Sequence, residues 1–487
     1  MKIMFLIMSV LGVCSNILAQ SPDTLWTKTY GGSGADAARS MIINSDGNIV
    51  VAGFGQNIQG NNLDIWILNI DTMGDTIWTK SYGGALADDG VDIHQTADGG
   101  YIIVGNTKSF GTGLTDIWLL RTDADGDTLW TRTFGDSSQD MANSSFLSSD
   151  GGVIISGSRI RTAGGGYNGW LIKTDTLGDT LWTESYGSPS SDNSEFGTTL
   201  TETHEGFTIW TTKSLEVETG EAFTLILKYD HQGSLIWSTG FDIPGEEQFN
   251  SLIETSDGGF ILTGWKLSDI NNGMDLWLVR TDSNGDTLWT KSYGGSGDDV
   301  GYDVIQTADN GFIITGYTNS YGAGGKDLWV IRTDSLGDSL WTRTYGGEKE
   351  DEGWDILQFS NNDYLIIGNT QSFGAGSYDI WLLMLSENPI TVVENSINIP
   401  IRFQLNQNHP NPFNPVTTIG YALPRSGDVT LLIFNLLGEE VTRLVDGFQP
   451  TGTYQIIWDA SNYSSGIYFY RLQAGDFVQT RKMVLLK

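Results

Sequence analysis

Asp127-Thr128-Leu129-Trp130-Thr131-Arg132-Thr133-Phe134 decides the fold of this chain, because the chain repeats it. The Asp-Thr-Leu-Trp string, or a close variant, places Trp at 26, 78, 130, 182, 237, 289 and 341, with spacings of 52, 52, 52, 55, 52 and 52. A second Trp follows Asp-Ile or Asp-Leu at 66, 118, 277, 329 and 381, and Trp170 keeps that register after Asn-Gly. Two repeat positions thus hold 13 of the 17 Trp. Self-similarity at a period of about 50 marks a propeller or a similar array.

Each period contains four short strand signals. In the second they are Val91–Thr96, Tyr101–Asn106, Ile117–Thr122 and Thr128–Phe134, separated by Asp-Gly, Gly-rich and Asp-x-x-Gly turns. Tyr101-Ile102-Ile103-Val104 is an unbroken apolar run, as expected of a strand buried on both faces between neighbouring blades. Leu129, Thr131 and Thr133 alternate with Trp130, Arg132 and Phe134, which suits a half-exposed outer strand. Four strands in each of seven periods predict an all-β chain built on a seven-bladed β-propeller. The phase of the repeat adds a detail. The first Trp strand (Thr24–Tyr30) precedes any partner, and the repeats close on Asp379–Leu385. The first strand is therefore expected to complete the last blade and remove a free sheet edge.

The Asp-x-x-Gly-Asp-Thr-Leu-Trp unit resembles the repeat of quinoprotein-like propellers, and more loosely the Asp-box of sialidase-type propellers, over roughly residues 24–385. In both families the unit is mainly structural. A sialidase would also need a non-repeated arginine cluster, whereas Arg121, Arg280 and Arg332 share one repeat position. No quinone site can be placed, and no cofactor or metal is expected.

The 487 residues carry 26 Lys+Arg against 59 Asp+Glu, a formal charge of −33. That balance argues against nucleic acid or an anionic membrane as partner, since both need a basic footprint. Aromatics at 11% and 62 Gly separate the chain from acidic disordered sequences. Cys14 is the single cysteine, and the four His (94, 204, 231 and 409) are scattered, so a Cys/His zinc site is nearly excluded. Residues 1–19 read as a secretory signal peptide: Lys2, then Ile3-Met4-Phe5-Leu6-Ile7-Met8, then Ala19. The rival reading is a lipoprotein anchor on Cys14. No later apolar run is long enough to span a membrane.

Composition changes at the end of the repeats. Residues 400–487 hold 7 basic and 6 acidic residues, so the charge of about −35 sits in the middle of the chain, and seven of the ten Pro lie from Pro389 onward. The division is a propeller over 20–385, a linker over 386–400 and a last domain over 401–487. Six or seven short strands there predict a small immunoglobulin-like β-sandwich. This stretch closely resembles the C-terminal sorting domain of cargo of the bacterial type IX secretion system. The matching residues are Asn411-Pro412-Phe413-Asn414-Pro415, Ile433-Phe434-Asn435-Leu436-Leu437-Gly438, Trp458-Asp459, Ser465-Gly466-Ile467-Tyr468 and Lys482 to Lys487. The resemblance implies a Gram-negative-type bacterium and two-step export through the periplasm. The secretion machinery is then a partner, and the cargo is left on the cell surface or released.

Several residues could carry chemistry. One acidic position recurs in every period: Asp36, Asp88, Asp140, Asp192, Glu247, Asp299 and Asp351. It is either a ring of carboxylates around a channel mouth, able to hold a cation or a polyhydroxylated ligand, or a set of caps on backbone N–H groups. Sevenfold repetition favours caps, since architecture repeats and active sites seldom do. The Asp before the second Trp (64, 116, 275, 327 and 379) reads as a strand-start hydrogen bond. Asp123-Ala124-Asp125-Gly126-Asp127 looks like the start of a calcium loop but lacks its later ligands, so a hairpin turn explains it better.

Departures from the repeat carry more information. The loops after each second strand hold Phe110, Trp265, Tyr321 and Phe373, and Tyr302 and Trp354 add non-repeated aromatics on the same face. Rings beside carboxylates suit sugar recognition; alternatively they pack loops onto blades. The divergent fourth period gathers Glu195, Glu202, Glu205, Glu216, Glu218 and Glu221. The expected function is that of a secreted or cell-surface protein binding extracellular glycan or protein, with Asp88, Asp299, Asp351, Tyr302, Trp354, Trp265, Tyr321 and Phe373 as candidate ligand contacts. The alternatives are a polysaccharide-active hydrolase, endoglucanase-like, and a structural adhesin or surface-layer component.

Overall fold

A computed structural model of the chain describes residues 23–56, 62–160, 166–187, 194–215, 222–241, 246–267, 273–386, 403–424, 427–449, 452–475 and 477–487. The signal peptide with Cys14, residues 387–400 of the linker, Asp192 and the three glutamates at 216, 218 and 221 lie outside them. The chain divides into two compact units, Met1–Asn388 and Pro389–Lys487.

In the first unit, seven four-stranded antiparallel sheets follow the seven periods. The second blade runs Asp88–Gln95, Tyr101–Thr107, Asp116–Thr122 and Thr128–Phe134 from inside to outside. Each innermost strand packs on that of the next blade, and Ala37–Ile43 packs on Asp351–Gln358, so the ring closes. The seam is as expected from the phase of the repeat. Asp23–Tyr30 pairs with Asp379–Ser386, and Trp26 lies opposite Met384. The two middle strands of the second blade are buried along their whole length, because blades cover both of their faces.

The outer strand explains why its sequence recurs. Trp130, Arg132 and Phe134 are half-buried while Leu129, Thr131 and Thr133 are exposed. The half-buried row grips the turn of the next blade. A Cβ on Gly178 would sit 2.6 Å from the Trp130 ring, and Arg132 pairs with Asp179 at 3.2 Å. One blade earlier, Trp78 lies against Gly126, the Tyr82 hydroxyl donates to Gly126 O at 2.5 Å, and Lys80 pairs with Asp127 at 2.6 Å. Gly126 has φ +79°, which any other residue adopts at a cost. The Asp-x-x-Gly-Asp-Thr-Leu-Trp motif is therefore one half of a latch whose other half is the same motif in the preceding blade. The Asp123 carboxylate accepts the N–H groups of Asp125 and Asp127, giving the hairpin turn rather than a calcium loop.

The fourth blade, which lacks the second Trp, buries Trp210 completely. Its indole N–H donates to Ser156 Oγ of the preceding blade at 2.7 Å.

In the second unit, Gln404–Leu405, Val416–Leu423 and Gly452–Asp459 form one sheet. Glu440–Gln449, Gly427–Phe434, Gly466–Ala474 and Phe477–Leu485 form the other. Both contribute to one apolar core that includes Phe413, Trp458, Tyr470, Met483 and Leu485. This is a β-sandwich.

Candidate functional site

The recurrent acidic residues are inside the blades, not around a mouth. Asp88, Asp299 and Asp351 have no accessible surface. Asp88 accepts from the Thr107 hydroxyl, from Ser109 Oγ at 2.7 Å and from Gly84 N at 2.9 Å. Asp351 repeats the set with Thr370, Ser372 at 2.7 Å and Gly347 N at 2.8 Å, and Asp299 with Thr318, Ser320 at 2.6 Å and Gly295 N at 2.9 Å. Most of the acceptor sites of these three carboxylates are thus filled from within the blade, and none of the three has surface to offer a cation or a sugar hydroxyl. In the fourth blade it is Glu195, paired opposite Ser214, that stands in the register of Asp88 opposite Thr107, and not Asp192. The longer fourth period shifts the count by three residues. The Asp before the second Trp is also a cap: Asp116 accepts from Gly113 N at 2.8 Å and Asp379 from Gly376 N at 2.8 Å. Arg121, Arg280 and Arg332 pair with Asp98, Asp257 and Asp309 of the turn between the first two strands of their own blades, as architectural residues do.

The loop aromatics are divided. Phe110, Tyr321 and Phe373 lie on the second Trp of their own blades, with ring centroids 4.9 Å from Trp118, 5.7 Å from Trp329 and 5.3 Å from Trp381. Trp265 is covered by Lys213, whose Nζ stands 4.8 Å from the ring. Tyr302 and Trp354 are different, because the structure brings them together in the central channel.

The channel is built by a device the repeat hides. Every innermost strand carries a β-bulge at one register position: at Arg39, Val91, Asn143, Thr198 and Thr199, Asn250, Tyr302 and Trp354. A bulge leaves its extra residue unpaired and re-aims its side chain. All these residues line one cavity of about 600 Å³ whose walls come from the innermost strands of all seven blades. The scaffold is repeated, and the side chains it presents are not. Tyr302 and Trp354 stack 4.2 Å apart at 8°, Tyr317 stands 5.8 Å from Tyr302, and the Arg39 guanidinium lies over Trp354 at 5.2 Å. Tyr302 covers one face of Trp354 and Arg39 lies over the ring as well, so it is Tyr302, with one face stacked, that keeps a face for a sugar.

Below this ring lie Asp92, Asp303 and Asp355. Asp92 accepts from Ser40 Oγ at 2.7 Å and from Ser145 N and Oγ, both at 3.0 Å. Asp303 accepts from Ser251 Oγ at 2.7 Å and Ile356 N at 3.1 Å, and Asp355 from Met41 N at 2.7 Å. Each bond joins one blade to another. Asp303 and Asp355 are within hydrogen-bonding reach of each other. Burial pushes both carboxyls above the usual range, and the charge of Asp303 pushes Asp355 further. Two such carboxyls resist being charged together, which favours a proton shared between them. They are closer than the roughly 5–9.5 Å that glycoside hydrolysis asks of its pair. Glu202 of the fourth period is occupied by Ser148 Oγ at 2.5 Å and Ser149 N at 2.9 Å. Among the described residues no cluster of His, Cys, Asp and Glu could hold a metal ion.

In the tail, the candidate sorting residues converge on the last strand. The Asn411 side-chain oxygen accepts from Val484 N at 2.9 Å, Phe413 N donates to Val484 O at 3.0 Å, and Leu486 N donates to Phe413 O at 2.9 Å. Lys482 O accepts from the Gln407 amide at 2.8 Å, and Lys487 Nζ donates to Ser461 O at 2.5 Å. Tyr468 donates its hydroxyl to Ser464 O at 2.8 Å, beside Gly466. Pro412, Asn414 and Pro415 belong to the same segment.

Comparison with known proteins agrees with this tail. Residues 408–486 match the family model of the secretion system C-terminal sorting domain. The chain therefore carries a type IX sorting tail behind a propeller, and such a tail marks it for export to the cell surface or the extracellular space. The chain is 26% identical over 257 residues to the regulatory protein FlaEY of Caulobacter vibrioides. That stretch is 47% of this chain and 25% of the relative, so the chain spans about a quarter of the curated protein it matches. Among solved structures, it is similar to PorZ, a surface component of the type IX secretion system of Porphyromonas gingivalis, at 11% identity and TM-score 0.34 over 94% of this chain and 75% of that one. A protein of unknown function from Dyadobacter fermentans is similar at 13% identity and TM-score 0.43 over 75% and 99% of the two chains. Puromycin hydrolase is similar at 11% identity and TM-score 0.46 over 80% and 59%. The propeller assignment rests on strand order and the closed ring rather than on these likenesses. Among the described residues no helix is long and apolar enough to cross a membrane.

Proposed function

We propose that the protein is a surface-displayed or released propeller that binds an extracellular glycan or protein in its central channel, and that the tail delivers it there through the outer membrane. One observation supports the binding reading above the others. Seven bulges at one register position hold side chains as different as Arg39, Val91, Asn143 and Trp354 around a common cavity. A purely structural ring has no need of that variety, and a small-molecule site of several hundred Å³ with a few polar groups commonly has it. Tyr302 and Trp354 carry the reading; Tyr321 and Phe373 pack from their loops onto the second Trp of their blades, and Trp265 lies inside the strand Phe260–Leu267 under Lys213 rather than in the loop expected for it. A glycan array probed with the purified full chain tests it. Hits that vanish on Tyr302→Ala support the channel, hits that survive it place binding elsewhere, and silence across glycans shifts the ligand to protein.

A further inference from the structure

The geometry points to an acidic saccharide as the channel's ligand, its carboxylate or sulfate group held by Arg39; this rests on the channel being the binding site. Arg39 is the bulge residue of the first blade, and its side chain is exposed where it lines the cavity. Among the described residues it has no ion-pair partner, in a chain of charge −33. Lys326 pairs with Glu352 at 2.6 Å, Arg159 with Asp136 at 3.0 Å, and Lys213 with Glu246 at 3.7 Å. The guanidinium carbon lies over the Trp354 ring, 5.2 Å from its centroid, and Trp354 is backed by the parallel ring of Tyr302. A guanidinium held against a ring rather than by a carboxylate keeps an N–H edge for other work. That edge is a planar fork matched to the two oxygens of a carboxylate or sulfate.

The neighbouring acids make no ion pair with this fork among the described residues. Burial pushes the Asp89 carboxyl up and the Arg39 charge works against it across a longer distance, while the Asn106 amide faces it at 3.4 Å. Asp92 is taken up by Ser40 and Ser145, and Asp303 by Ser251 and Ile356 N. Asp303 and Asp355 are buried side by side, an arrangement that disfavours charge on both at once. The strands of the third to fifth blades add Asn143, Thr198, Gln248 and Asn250 beside Phe146, Phe196 and Leu200. Asn143 and Asn250 each donate to a carbonyl of the next blade, at 2.6 and 2.8 Å, which leaves the Asn143 side-chain oxygen and the apolar groups beside it for a sugar ring.

Calorimetric titration of the full chain tests the inference with four probes: trigalacturonate, galactotriose as its uncharged counterpart, a sulfated carrageenan oligosaccharide and the peptide Ala-Ala-Ala. The expected result is that one of the acidic sugars binds roughly tenfold or more tighter than galactotriose, the loss that a charge-assisted hydrogen bond implies. Arg39→Gln should bring the acidic sugar down to the level of the neutral one, and Arg39→Lys should keep part of the difference as a point charge without the fork. Equal binding of the neutral sugar, or an affinity untouched by Arg39→Gln, overturns the inference. If that neutral binding is lost in Tyr302→Ala, the channel reading stands without the anion. Binding of the peptide alone, or of none of the four, also overturns it.

Discussion

Leu129 and Trp130 are neighbours in one outer strand, and the blade treats them oppositely. Leu129 is 56% exposed, while the Trp130 ring lies under Gly178 of the next blade. Trp130→Ala is expected to cost about 2–4 kcal/mol, the lower part of the range for an aromatic truncation because the ring is half-buried. Leu129→Ala should stay within about 0.5 kcal/mol. Urea unfolding midpoints of the two variants check this, and equal losses would show that the strand is not gripped from the next blade. The recurrent acids give a second test. Asp88→Ala leaves two hydroxyls and a backbone N–H without their acceptor, at about 2–4 kcal/mol, whereas a chelator such as EDTA should leave the melting temperature of the natural protein unchanged. A drop with EDTA would restore the cation reading. That these acids recur is written in the sequence. Where their oxygens point is not, because Ser109 and Gly84 reach Asp88 from loops 21 and 4 residues away on opposite sides of it.

At the scale of the element, the innermost strand does two jobs with successive residues. The bulge residue faces the lumen, and the residue after it, or at Asn143 and Asn250 the bulge residue itself, ties blades together. Tyr302 and Trp354 stand out in the sequence because they are aromatic where other periods are not. Arg39 gives no such signal, since one arginine in one period looks like drift until the bulge places it over Trp354. The acid pair was hidden for the same reason, since Asp303 and Asp355 are 52 residues apart and meet only when two blades pack. Their raised pKa values have a consequence for stability. The folded pair holds a proton more tightly than the unfolded chain does, so stability is full below the ordinary carboxylate range and falls as pH rises toward the raised values. Asp355→Asn replaces the shared proton with a carboxamide that can donate to Asp303 and still accept from Met41 N. The natural protein should therefore lose more melting temperature between pH 5 and pH 8 than Asp355→Asn does. Parallel pH profiles for the two would remove the pair from the account.

At the scale of the molecule, closure and export draw on opposite ends of the chain. The seam is held by Asp23–Tyr30 against Asp379–Ser386, and it is legible in the phase of the repeat. Deleting residues 23–30 would leave an open edge on the last blade, and the propeller should then self-associate, as sedimentation would show. The tail was legible for a different reason. Its motifs lie in five separated stretches, yet Asn411, Phe413 and Lys487 all bear on the terminal strand and the turn beside it. An address read at the end of the chain needs that strand held in one shape, and the Asn411 carboxamide and the Phe413 backbone hold it from outside the sheet. Removal of residues 403–487 should therefore leave the propeller in the periplasm, and Asn411→Ala should reduce export while the propeller itself melts unchanged. Fractionation and protease accessibility on intact cells distinguish the outcomes. Surface display of the truncated chain would break the link between tail and destination. Display of Asn411→Ala at the normal level would break only the claim that the terminal strand must be pinned.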